Sequence, residues 1–296
     1  MSPVFVRWVA AFVTCLMLAA GAAASELPRE ARPGMWRVER DGHVLYLLGS
    51  IHLLPPETTW LTPEISAARA KAEVFVFEAP LTDADTAMTR FVARHGRLQG
   101  GRTLRDLLGE REFERLEQAA WIVQYPPRLL DGLRPWLASV YLELHAYLKL
   151  GFSPFFGVDH VIERDARQAG ASVAYLETVE EQLSYFLKIP PAEELRYLRA
   201  TVRDIHERPS APLDLVRAWA SGDAAAIQRV IDEGMASTPI LKSQILTARN
   251  RKWMPLLEAM LKSGKVHFVT VGAAHLTGSS GVVALFRARG YQVTGP

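Results

Sequence analysis

The sequence predicts a mixed α/β protein whose central sheet is built from segments near both ends of the chain, with a large helical region between them. Runs of β-branched and aromatic residues occur at residues 35–77 and again after residue 265, whereas residues from about 83 to 262 are mostly helical in pattern. The composition, 49% hydrophobic and 22% charged, is typical of a water-soluble globular chain. We therefore expect a single domain over residues 25–296, with a helical insertion or lid at about 83–262.

The N-terminal part of this domain predicts a hairpin, a helix and a buried strand. Met35–Arg40 and His43–Leu48 flank Asp41-Gly42, a dipeptide that favours a two-residue hairpin turn. Pro63–Ala72 has a helical pattern, and Val74–Phe77 is an unbroken apolar run of the kind that forms a strand covered on both faces. A helix followed by a buried strand is a typical start of an α/β fold.

The middle and the C-terminal part complete the predicted pattern. Thr103 can cap a short helix, Pro135 opens a long helix through Tyr147, and Ser172–Leu176 is a strand-like interruption of the helical region. The sheet pattern then returns in a strand, a helix that Gly290 stops, and a last short strand, predicted at Val266–Val271, Gly281–Ala288 and Tyr291–Thr294.

The first residues predict a signal peptide over residues 1–24. Arg7 lies near the start of an apolar run that ends in small residues, so we expect cleavage after Ala24 and a periplasmic or secreted protein. If the leader is not cleaved, the same run is a membrane anchor. After cleavage we expect no stable membrane insertion.

Charge and cysteine content exclude several classes of function. The 34 Lys and Arg residues nearly balance 32 Asp and Glu, so there is no basic field and we expect no nucleic-acid partner. Cys15 is the one cysteine, and it would be removed with the signal peptide. The mature chain is thus predicted to lack disulfides and Cys nucleophiles, and any metal must bind His, Asp or Glu.

Two similar segments near the ends of the domain carry the functional signal. Gly49-Ser50-Ile51-His52-Leu53 and Gly272-Ala273-Ala274-His275-Leu276 each follow a predicted strand, and both read G-x-x-H-L. Glu78 directly follows the buried run at 74–77 and needs a cation, a donor or a metal. Ligands collect at the carboxyl ends of strands in open α/β sheets, and two His plus a carboxylate are a ligand set of open catalytic metal sites. In the alternative reading, each histidine is merely hydrogen-bonded in place.

The chain resembles the TraB/GumN family over nearly the whole mature sequence. The matching stretches are Tyr46–His52, Phe75–Glu78, Gly157–Asp159, Leu176–Gln182, Arg249-Asn250 with Trp253, and Val271–Gly278 with Gly281 and Gly290-Tyr291. The resemblance implies a metal-dependent hydrolase-like scaffold, similar to the animal Tiki proteins, which are membrane-tethered metalloproteases. It implies His52, His275 and Glu78 as metal ligands, with Mn, Co or Zn as the divalent cofactor.

Further residues are candidates around this site. Glu78 is either a ligand or a catalytic base. Arg249 and Asn250 can orient a substrate carbonyl or stabilise an oxyanion, and the alternative for both is a capping or salt-bridge role. Asp159 and Glu177 are candidate outer partners of the site.

A rival cluster and a rival function stay open. Asp159, His160 and Glu163 could form a metal site of their own, because Asp159 and Glu163 share a helix face. We expect a metal-dependent peptidase acting on a peptide or protein in the bacterial envelope. The alternative is a non-catalytic binding protein for a peptide, haem or a saccharide. Oligomeric state is not predicted.

Overall fold

A computed structural model of the chain describes residues 29–80 and 84–296, so the predicted signal peptide lies outside the described residues. Over the described residues, a mixed six-stranded sheet in the order β4-β3-β5-β2-β1-β6 is covered by helices. The predicted mixed α/β class is confirmed. Within these two ranges, no helix combines the length and the apolar composition needed to cross a bilayer.

An antiparallel hairpin forms one side of the sheet. Strand β1 (Met35–Arg40) pairs with β2 (His43–Ser50), and the turn residues Asp41 and Gly42 both have positive φ, as a type I′ turn requires. Strand β6 (Gln292–Thr294) pairs antiparallel with the outer edge of β1. The last strand of the chain therefore closes against the first.

The other side of the sheet is parallel and carries the strand ends that matter for function. Strands β3 (Val74–Phe77), β4 (Ser172–Tyr175) and β5 (His267–Gly272) run parallel to one another and to β2. Ser50 at the end of β2 pairs with Gly272 at the end of β5. The carboxyl ends of β2, β3, β4 and β5 thus share one edge. Strand β4 comes from the middle region, so that region contributes to the sheet as well as to the helical part.

The helices begin and end close to the predicted signals. Three differences are small: the first helix ends at Lys71 instead of Ala72, the long helix opened by Pro135 runs to Lys149, two residues past the prediction, and the last helix begins at Val282. In chain order they are α1 (Pro63–Lys71), α2 (Ala84–His95), α3 (Leu104–Leu108), α4 (Glu110–Ile122), α5 (Pro135–Lys149), α6 (Val158–Gln168), α7 (Val179–Ser184), α8 (Pro191–Glu207), α9 (Ala211–Ala220), α10 (Ala224–Gly234), α11 (Pro239–Lys242), α12 (Arg249–Lys262) and α13 (Val282–Ala288). A π-helical turn, Ser243–Ala248, leads into α12.

Apolar side chains pack on both faces of the sheet. One cluster joins α6 and α9 to sheet residues such as Phe75 and Phe268, and a second joins α12 and α13 to Val269 and Val271 on the opposite face. A third cluster lies among α4, α5 and α8, around the fully buried Trp136. Because both faces are covered, the parallel strands are open to ligands mainly at their carboxyl ends.

Candidate functional site

The two predicted histidines and Glu78 meet above Gly272, the last residue of β5. A Cβ atom built on Gly272 would lie 3.3 Å from Glu78 Oε1, 3.5 Å from His52 Nε2 and 3.6 Å from His275 Cδ2. Three side chains from widely separated parts of the chain therefore surround one point. Because glycine has no side chain, that point is left open between them.

His52 is oriented by the start of helix α6. Its Nδ1 donates to Asp159 Oδ2 at 3.0 Å, so Nε2 is turned toward Gly272. Gly157 permits this approach, because a Cβ there would lie 2.2 Å from the His52 carbonyl oxygen. The neighbouring Asp159 carboxylate raises the pKa of His52 to about 9. Its side chain is 54% exposed, the most open of the three.

His275 is buried and held from both ring nitrogens. Its Nδ1 donates to Asn250 Oδ1 at 2.6 Å, and the Asn250 amide in turn donates to the Ser280 carbonyl at 2.9 Å. Burial lowers the pKa of His275 to about 3, so the ring is neutral and Nε2 is an acceptor. The Arg249 Nη1 group donates to His275 Nε2 at 3.1 Å. The Trp253 ring packs against the imidazole, with 4.5 Å between centroids.

Glu78 is an anchored carboxylate. Its Oε1 accepts a hydrogen bond from the Gly272 N–H at 2.6 Å. Its Oε2 accepts one from Gln182 Nε2 at 3.2 Å and another from Arg249 Nη2. Burial by itself would raise the pKa of Glu78, but Arg249, the two histidines and the Gly272 amide together hold it well below the ordinary value. Glu78 is therefore ionised at neutral pH.

Arg249 links the two acidic residues at the rear of the site. Its Nη2 group donates to Glu78 and to Glu177, and its Nε donates to Glu177 at 2.8 Å. Its Nη1 group also donates to the Ile245 carbonyl at 3.3 Å. Glu177 accepts a further bond from Trp253 Nε1 at 3.3 Å, and burial raises its pKa despite the arginine. The π-helical turn directly before α12 sets the rotation at which Arg249 enters the site.

The donor set fits a divalent cation in kind and in charge. Both imidazoles donate from Nδ1 to a fixed oxygen, which leaves Nε2 as the ligating atom, an arrangement typical of metal-binding histidines. Three carboxylates, Glu78, Glu177 and Asp159, face the Arg249 guanidinium and the protonated His52 ring, and a divalent cation would take the place of the His52 Nε2 proton. Among the described residues, no group of three or more acidic or His side chains is already spaced to hold a metal. Ligation therefore requires Arg249 to release His275 Nε2.

The other predicted site residues fall into place around this centre. Asn250 is buried and both of its amide atoms bond within the protein, so it positions His275 and does not face a substrate. The Asp159 carboxylate accepts a hydrogen bond from His52, and the Glu177 carboxylate accepts one from Arg249. Both are therefore outer partners of the site.

The rival cluster does not assemble. Asp159 turns to His52, while Glu163 accepts from Arg167 Nε at 2.9 Å and from the Tyr175 hydroxyl at 2.6 Å. His160 packs edge-on against Phe155. Sequence reasoning missed Gln182 as a partner of Glu78. The available signal was the Thr178–Glu181 capping box, which starts helix α7 one turn before Gln182.

The fold and the site define a mixed α/β protein with a buried His–Glu–Arg centre at the carboxyl edge of its sheet. The family model for the TraB/PrgY/gumN family matches residues 34–295, and the chain belongs to that family. It is similar to the uncharacterized protein YbaP of Escherichia coli (strain K12), with 22% identity over 242 residues, which cover 82% of this chain and 87% of YbaP. The Shigella flexneri YbaP protein matches equally well. No solved structure matches significantly.

Proposed function

We propose that this protein is a metal-dependent hydrolase of the bacterial envelope that cleaves peptide bonds, with His52, His275 and Glu78 as ligands of a divalent cation. The observation that carries the proposal is the convergence of two imidazoles and one carboxylate on the open point above Gly272. Three carboxylates against the Arg249 guanidinium and the His52 imidazolium leave a net negative charge, which supports a doubly charged cation in place of the His52 proton. Peptide as the substrate rests on the family resemblance.

Each residue has a stated task in this proposal. Asp159 and Asn250 hold the imidazoles with Nε2 toward the cation. Glu78 acts as a ligand and not as the base, because its pKa lies well below the ordinary value and the carboxylate is therefore a weak proton acceptor. A bound divalent cation lowers the pKa of a water ligand from about 15.7 toward 7 and polarises a carbonyl group.

Arg249 has two tasks in sequence. Arg249 keeps its bonds to Glu177, while its Nη1 group moves away from His275 Nε2. The lone pair on that ring nitrogen is then free to bind the cation. The freed N–H can then donate to the oxygen of the scissile carbonyl, where negative charge develops.

The decisive experiment measures metal content and cleavage together. Protein purified without chelator should hold about one Mn, Co or Zn per chain by elemental analysis and should cut members of a peptide library. His52→Ala and His275→Ala should lose both properties, with unchanged circular dichroism.

His267→Ala is the matched control. His267 lies at the start of the strand that ends beside His275, and its ring bonds the Lys265 carbonyl. This variant should keep its metal. If wild-type protein takes up none of the three metals and leaves the library uncut with each of them added, the proposal is wrong and a non-catalytic binding protein is favoured.

A further inference from the structure

Among the described residues of the candidate site, His52 is the most exposed. Glu78 and His275 are buried, and Arg249, Asn250 and Glu177 close the rear. The His52 side chain, in contrast, is half exposed. A substrate therefore reaches the centre past His52, and the surface beside His52 is the first that it meets.

Two exposed phenylalanines lie in the turn next to the His52 segment. Phe155 is 63% exposed and Phe156 is 42% exposed. Gly157, the next residue, is packed against the His52 backbone, with its would-be Cβ 2.2 Å from the His52 carbonyl oxygen. Since consecutive Cα atoms are about 3.8 Å apart, Phe156 begins within about 8 Å of that oxygen.

The segment that carries the two rings is tied to the His52 segment by backbone bonds. Leu54 and Ser153 exchange N–H···O bonds of 3.3 and 3.0 Å, and Val158 N–H donates to the Ile51 carbonyl at 3.0 Å. The turn itself is ordered, because Ser153 Oγ accepts the Phe155 N–H at 3.3 Å. The turn that carries the two rings is thus held beside the His52 segment.

The Phe155 ring is fixed further by His160, which it meets edge to face at 5.6 Å. Adjacent large apolar side chains on a surface mark contact sites, because leaving them in water is unfavourable. Two rings offer an area suited to one side chain, and polar residues border their turn: His160 on the Phe155 ring and the His52 backbone at Gly157. This size and setting fit a peptide side chain better than a membrane.

We propose that Phe155 and Phe156 form an apolar subsite that receives an apolar side chain of a peptide substrate, at a residue next to the bond that is cut. The inference rests on the proposed peptidase function and adds a substrate class to it: peptides with a leucine- or phenylalanine-like residue beside the scissile bond.

The test compares two peptides that differ at that one residue, Leu against Ser. Wild-type protein should prefer the Leu peptide in kcat/KM by about tenfold to 200-fold, as expected for an apolar pocket. Phe155→Ser/Phe156→Ser should lose most of this preference through a higher KM for the Leu peptide, so that the ratio of kcat/KM between the two peptides falls toward one. Trp121→Ser removes another exposed aromatic residue, on helix α4, and should keep the preference. An unchanged preference in the double variant overturns the subsite.

A binding measurement separates failure of the subsite from failure of the proposed function. Absence of both metal and cleavage in wild-type protein would refute the function. The subsite is then judged by titration calorimetry of the same two peptides with Glu78→Gln protein. Tighter binding of the Leu peptide, lost in the added double substitution, supports it, and equal binding refutes it. If the double substitution instead abolishes self-association in sedimentation, or abolishes binding to phosphatidylglycerol vesicles, the two rings serve another partner and the subsite is wrong.

Discussion

At the scale of single residues, Gly272 shows how a missing side chain shapes a site. Its N–H holds Glu78, and its hydrogen atoms leave open the point that His52 and His275 also face. Its φ of −50° is available to any residue, so conformation does not demand glycine here. The requirement is for space.

Gly272→Ala should therefore damage the site while sparing the fold. The new methyl group would stand 3.3–3.6 Å from all three proposed ligands. We expect metal affinity to fall at least about tenfold in titration calorimetry, while the free energy of unfolding in urea changes by less than about 1 kcal/mol.

Gly234→Ala is the matched control for that prediction. Gly234 ends helix α10, and a Cβ there would meet nothing within 4 Å. This variant should keep wild-type metal affinity. Wild-type affinity in Gly272→Ala as well would show that the cation, if bound, lies elsewhere.

Residue types and spacing were enough to predict which side chains gather at the sheet edge. The paired G-x-x-H segments and Glu78 each follow a strand, and parallel strands end on one edge. The partners of these groups were less predictable. Arg249 could be expected near the site, but its simultaneous bonds to Glu78, Glu177 and His275 depend on the tertiary placement of α12.

At the scale of elements, local signals determined where strands and helices lie. The hairpin follows from Asp41-Gly42 and the start of α3 from the Thr103 cap. Long-range packing is not encoded so locally. Helices α5 and α8 pack together through Glu143, which accepts from the Tyr197 hydroxyl at 2.8 Å and from Thr201 Oγ1 at 2.9 Å. No short motif announces this contact.

Glu143 should make stability depend on pH. Burial, with a smaller effect of Asp204, raises the pKa of Glu143 in the folded protein above its ordinary 4.5, although the two hydroxyl donors oppose the rise. The folded state therefore favours the neutral acid. The stabilising contribution is present below pH 4.5 and is lost as the pH rises through the raised pKa.

Glu143→Gln mimics the neutral acid and should remove this loss. Relative to wild type, its free energy of unfolding should rise between pH 4.5 and pH 8, measured by urea unfolding at both pH values. Glu114→Gln, at an exposed position on α4, should show no such trend. A pH-independent difference for Glu143→Gln would contradict the prediction.

At the scale of the whole molecule, the site joins distant parts of the chain. His52 follows β2 and Glu78 follows β3, both before residue 80, whereas His275 follows β5, after residue 272. A cation held by all three would cross-link the first and last parts of the domain. Binding to the folded state alone raises stability by mass action.

Mn²⁺ should therefore raise the melting temperature of the whole domain in one transition. At a concentration of 100 times Kd the gain is about 2.7 kcal/mol, or a shift of about 5–10 °C for a chain of this size. Differential scanning calorimetry measures it. His52→Ala and His275→Ala should show no shift, and an equal shift in either variant would argue against the assigned ligands.

The π-helical turn Ser243–Ala248 determines how the chain tolerates the loss of a residue just before the site. Such a turn holds one residue more than an α-helical turn, and each residue rotates a helix by about 100°. Deleting one residue there would therefore let the segment close as an α-helix with nearly the same total rotation, so Arg249 and Asn250 would keep their direction toward the sheet. A deletion in this segment should thus be tolerated better than one inside α12, which would rotate all later residues of that helix by about 100°.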